Sequence, residues 1–218
     1  MNPKLNILIE AIVFYVKGRG GFITKTKLLK LLYLFDVEYF RLHRETYTGF
    51  NWRFYHLGPW TAEYDPLLDS LVEQNALVRN YSSRPDYDTQ FFEPSREISI
   101  NEALPQLKDE FILKTILDNW GDKRTGEILD YVYFETEPMI NGQRNEPLDF
   151  ELIPEEPIPK YRRSSSGKTN KEIQTLREAL AERLKSTVNK EPEKSTLGPP
   201  RYDDEYWRAM ETLEELSR

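Results

Sequence analysis

Thr24-Lys25-Thr26-Lys27-Leu28-Leu29-Lys30-Leu31-Leu32-Tyr33-Leu34-Phe35-Asp36-Val37-Glu38-Tyr39-Phe40-Arg41-Leu42-His43 is the stretch that decides the fold. Thr24 has the chemistry of an N-cap, a short side-chain oxygen placed before a long run without Gly or Pro. The apolar positions Leu28, Leu29, Leu31, Leu32, Leu34, Phe35, Val37, Tyr39 and Phe40 cover more than one face. A helix apolar nearly all round belongs in the middle of a domain. The spacing therefore predicts a core helix from Thr24 to about His43.

Outward from it, Leu5, Leu8, Ile9, Ile12, Val13 and Val16 recur at three-and-four spacing and predict a helix from about Lys4 to Lys17. Gly18-Arg19-Gly20-Gly21 stops it. On the other side, Phe50 to Tyr55 reads as a short aromatic strand, and His56-Leu57-Gly58-Pro59-Trp60 as a turn. Thr61 is the expected cap of a helix running to about Asn75, with Glu63, Tyr64 and Asp65 in its first turn. Ala76 to Arg79 and Gln90 to Glu93 read as strands about a polar loop, Asn80 to Thr89. Helix, strand, loop and strand is the order of a winged-helix wing, which serves DNA, packing or protein contacts alike. Further helices are predicted over about Glu102 to Trp120, with Pro105 in the first turn, and Arg124 to Phe134.

The fold class predicted is mainly α with some β, a helical domain with a small antiparallel sheet. Its expected limits are 1–158, closed by a Pro-rich acidic stretch. A polar linker (159–170), a helix (171–188) on Ile173, Leu176, Leu180 and Leu184, and a second Pro-rich linker (189–202) follow. The last element is an amphipathic tail helix (203–217) whose apolar stripe includes Tyr206, Trp207, Met210 and Leu213. A lone helix of that length is marginal in water and needs a surface to lie on. Tyr206, Trp207, Met210 and Leu213 are thus the candidate partner-binding residues.

Composition narrows the chemistry. The chain of 218 residues has no cysteine, which excludes disulfides, thiol nucleophiles and thiolate metal sites. Its 2 histidines, His43 and His56, are too far apart in sequence for a zinc-binding helix pair. Gly167-Lys168-Thr169 ends like a phosphate loop, but Arg162 stands where the first glycine belongs. Adjacent carboxylates such as Asp109 with Glu110, or Glu135 with Glu137, arise readily among 37 acidic residues. No motif makes a positive case for catalysis, a cofactor or a metal. No stretch is apolar enough for a membrane span, and the start of the chain lacks signal-peptide character, so a cytoplasmic location is expected.

Charge is unevenly spread. Residues 1–50 carry 8 basic and 4 acidic side chains, whereas 51–158 carry 9 and 22. So acidic a middle repels a phosphate backbone and speaks against a nucleic-acid partner. A DNA-binding regulator using the wing and the basic N-terminal helices is the alternative reading.

Two segments together resemble a known family. Thr26 to Asp36 is similar to the signature helix of the Panacea, or SocA-like, antitoxin domain, through Leu28, Leu32 and Tyr33. Phe50 to Trp60 resembles its aromatic strand and Gly-Pro turn, through Trp52, Tyr55, Gly58, Pro59 and Trp60. Thr136-Glu137-Pro138 resembles the family's closing Thr-x-Pro element. Trp60 departs from the family, where an aliphatic residue is more usual, as does the long tail. The resemblance implies a mostly helical, non-catalytic scaffold and, as partner, a cognate toxin bound directly. It also implies a bacterial or phage-associated toxin–antitoxin pair.

Overall fold

The computed structural model describes residues 3–55, 58–81, 90–163 and 167–187. The chain begins with α1 (Pro3–Gly18), β1 (Ile23–Thr24) and α2 (Lys25–His43). A hairpin follows, β2 (Arg53–Tyr55) and β3 (Gly58–Trp60), then α3 (Tyr64–Glu73) and the wing strands β4 (Leu77–Tyr81) and β5 (Gln90–Pro94). Helices α4 (Ile100–Ala103), α5 (Leu107–Trp120), α6 (Thr125–Glu135) and α7 (Glu137–Asn141) come next, and α8 (Asn170–Thr187) is the last element described. The fold is mainly helical with a small antiparallel sheet in the order β1-β5-β4.

Helix α2 is the axis of the molecule, packed between α5 and α6. Thr24 caps it as expected, its hydroxyl accepting from the Lys27 N–H at 3.1 Å. Arg44 ends it in the left-handed region (φ 59°), its N–H returning to the Phe40 carbonyl at 2.9 Å and its guanidinium lying over the Phe40 ring. Leu28, Leu31, Leu32, Tyr33 and Phe35 are fully buried.

Three sequence expectations are corrected. Of the expected turn 56–60, His56 and Leu57 lie outside the described residues, and Gly58–Trp60 is instead a strand paired with Arg53–Tyr55. Pro59 is tolerated there because Phe54, opposite it, spends its own N–H and C=O on Glu146 and Asn145 on the far side. Phe54–Pro59 is thus a non-hydrogen-bonded pair, and the missing proline N–H costs the ladder nothing. Gly58 sits at φ +81°, which favours glycine.

Thr61 is not the cap of α3, which starts three residues later behind Glu63; the Thr61 hydroxyl instead donates to the Glu63 carboxylate. The helix expected from Glu102 is two helices. Pro105 pushes Leu104 out of helical geometry (φ −131°, ψ 88°), so α4 ends there and α5 begins at Leu107. Pro138, beyond the end of α6, lies in the first turn of the short helix α7. The two-residue strand β1 carried too little pattern to be read from the sequence.

The tail residues Tyr206, Trp207, Met210 and Leu213, most of the wing loop, and the second linker lie outside the described residues.

Candidate functional site

Four polar residues of α2, Lys27, Lys30, Tyr33 and Asp36, are all buried although each carries a polar or charged head. At a spacing of three on a 3.6-residue helix they wind around the axis, so each meets a different neighbour. Lys27 Nζ donates to the Gly121 carbonyl at 2.6 Å, holding the end of α5. Lys30 Nζ donates to the Pro59 carbonyl at 2.8 Å, holding β3.

Tyr33 reaches Thr136 between α6 and α7 at 3.0 Å. Because the Thr136 hydroxyl donates to Val132 O at 2.6 Å, Tyr33 is the donor of that pair. Asp36 accepts from Thr48 N–H at 2.9 Å, from the Thr48 hydroxyl, and from Trp52 Nε1 at 2.7 Å, fixing the loop that enters β2. One helix thereby ties down four separate elements through polar contacts in a buried core, where such bonds are strong and costly to break.

Burial sets the protonation of these groups. Desolvation pushes Lys30 down to about 7 and Lys27 to about 8, the latter partly offset by the Asp122 and Glu127 carboxylates. Desolvation raises Asp36 to about 6 despite the bonds from Thr48 and Trp52, and raises Tyr33 well above the usual phenol range. Lys30 is 1% exposed, so its amine is sealed from any substrate.

A second polar group straps the segment after α7 onto this core. Arg41 pairs with Glu38 and Glu137, and Arg162 bonds Glu38 and Glu156 at 2.7 Å each. Glu156 N–H donates to Arg41 O at 2.8 Å, and Asn119 holds the Arg162 carbonyl at 2.7 Å. The void beneath this strap, among Leu34, Ile116, Trp120 and Tyr131, is about 30 Å³, the size of a water rather than of a cofactor. Among the described residues no group of three metal-capable side chains is found.

The sequence-predicted positions divide by side. Leu28, Leu32, Tyr33, Trp52 and Pro59 are buried, and Tyr33 and Trp52 meet edge to face at 5.4 Å. Tyr55 and Trp60 are half-buried on the other side of the hairpin and stack on each other at 5.1 Å. Sequence reading missed Lys27, Lys30 and Asp36 as buried residues. The signal was there: in a helix apolar nearly all round, polar residues three apart have no solvated face to occupy.

The basic residues of the first helices do not form an open face. Lys17 pairs with Glu93, Arg19 with Asp118, Lys25 with Asp65 and Arg44 with Glu151, while Lys27 and Lys30 are buried. Among the described residues no helix is long and apolar enough to cross a membrane.

Comparison with curated proteins and with solved structures finds no match. The family profile described as Antitoxin SocA-like, Panacea domain, matches residues 28–138, from the first turn of α2 to the Thr136-Glu137-Pro138 junction that Tyr33 grips. That is half of the chain, and it takes in the whole hairpin and wing: the chain belongs to the SocA-like antitoxin, Panacea domain family.

Proposed function

We propose that this chain is the antitoxin of a bacterial or prophage toxin–antitoxin pair and neutralises its toxin in the cytoplasm by direct, non-catalytic protein binding. The observation that carries the reading is the matched segment 28–138, whose polar signature residues serve to hold backbone in place. That is the use expected of a rigid scaffold that presents a surface. The tail stripe Tyr206, Trp207, Met210 and Leu213 supplies aromatic and apolar anchors of the kind that dominate helix-in-groove binding. Co-expression with the protein encoded beside it tests the reading. Relief of that protein's toxicity, together with co-purification of the two chains, is the expected result. Persistent toxicity with both chains soluble overturns it.

The DNA-regulator reading finds little support in the first helices. Its footprint would need open Lys and Arg side chains to displace counterions, and those of the first helices are largely buried or paired with carboxylates.

A further inference from the structure

Helix α8 lies beyond the matched segment yet sits on it. Of the α8 side chains described, only Leu184 is buried (6% exposed), where it joins the domain core, and Leu180 is half-buried beside that core. The polar contacts share one sign. Arg177 makes a two-pronged bond to the Asp130 carboxylate of α6 at 2.9 and 2.8 Å. Lys168, just before α8, pairs with Glu135 at the end of α6, and Arg183 reaches the Gly142 carbonyl after α7 at 3.4 Å. Ile140, two residues before Gly142, is half exposed at that same end. The α6–α7 face presents Asp130 and Glu135, and its occupant is a helix with basic residues and, four apart, two leucines that join the domain core.

The hold is light. For a helix of 18 residues it consists of one buried side chain, Leu184, the half-buried Ile173, Leu176, Leu180 and Ala181, and two partly covered ion pairs. A helix so held is exchangeable for another of the same chemistry. We propose that the α6–α7 face is a docking site for a basic amphipathic helix of the protein partner, and that α8 occupies this site in cis until the partner displaces it. The proposal rests on the reading that the partner is a protein. The charge of the site selects the partner's chemistry, and the Arg177–Asp130 fork sets its register.

The test uses the full chain and a fluorescent peptide of residues 168–187 as probe. The double variant Leu184→Asp/Arg177→Glu releases α8, and Leu180→Ala/Leu184→Ala is a milder release should the first fail to fold. Unchanged near-ultraviolet dichroism establishes that the core is intact. The peptide is expected to bind the released chain at least tenfold more tightly than the wild type, whose face is occupied. Adding Asp130→Lys to the released chain should abolish binding, and a peptide carrying Arg177→Glu should restore it. Equal binding to wild-type and released chains, no binding to either release variant, or indifference to Asp130→Lys would each overturn the proposal. Because the readout is peptide binding to the face alone, failure to neutralise a toxin in cells cannot imitate any of these outcomes.

Discussion

Lys30 Nζ lies 2.8 Å from the carbonyl oxygen of Pro59, and this bond joins the central helix to a strand that sequence alone reads as a turn. The amine is fully enclosed and faces a backbone dipole rather than a carboxylate. Burial of its charge is therefore unfavourable, and the bond is what makes the residue useful.

That balance depends on pH. The folded-state value of Lys30 is lowered from 10.5 to about 7, so between those limits the unfolded chain binds more protons and stability rises with pH. The penalty is fully present below about pH 7 and fades toward pH 10. Lys30→Met removes both the penalty and the bond to Pro59 O. Its urea-melt stability relative to wild type should be more favourable at pH 6.5 than at pH 9.5. A difference that does not change with pH would mean that folding leaves the Lys30 pKa unshifted, its amine staying charged across that range in both states.

Asp36 is the counterpart at the other end of the ladder. Asp36→Asn keeps an acceptor for Thr48 but turns an N–H₂ toward Trp52 Nε1–H or toward a Thr48 donor, leaving two donors face to face. We expect a loss of about 2 kcal/mol at pH 7, the usual cost of stranding a buried polar group, with Trp52 emission shifted. Wild-type stability with unaltered emission would show that the Asp36 cluster does not hold the loop.

How much of this was legible follows from what each residue type signals. The α2 helix, its Thr24 cap and the wing strands stand out because periodicity and capping are local. The β2–β3 pairing does not, because Gly58-Pro59 signals a break. Only the outward use of the Phe54 backbone, set by residues 145–146 far along the chain, makes a strand possible there. Pro105 was placed one turn too generously, inside a helix it in fact precedes. The burial of Lys27, Lys30 and Asp36 was hidden by the habit of assigning charge to surface, although the apolar residues around them left no surface on α2.

Leu32 tests the central position of α2. It is fully buried, and Leu32→Asp places an unpaired carboxylate beside the ladder. The cost should be on the order of several kcal/mol, enough to unfold a marginal domain. Thermal melting of the soluble variant is the measurement, and an unchanged midpoint would remove α2 from the centre of the fold.

Nucleic acid is the next question. With Lys17, Arg19 and Lys25 paired to carboxylates, the protein should show no sequence-selective DNA retention at about 150 mM salt in a mobility-shift titration. Selective binding with a steep salt dependence would restore the regulator reading.

The tail is where the neutralising reading is sharpest. The spacing of Tyr206, Trp207, Met210 and Leu213 within 203–217 predicts one helical stripe beyond a proline-rich linker. Such a segment either takes up a groove on the toxin or folds back onto its own domain. Both fates cover Trp207, so shielding of that indole in a complex cannot separate them. Truncation after Lys194 does, because the two fates load different measurements. A tail used for the partner leaves the melting temperature of the free protein unchanged when removed, and abolishes neutralisation of the co-expressed toxin. A tail used for the domain lowers the melting temperature and leaves neutralisation in place. We expect the first pattern, with single Trp207→Ala reproducing most of the loss, since one central aromatic anchor commonly contributes about 2 kcal/mol or more to such an interface. The second pattern would move the binding surface from the tail to the domain.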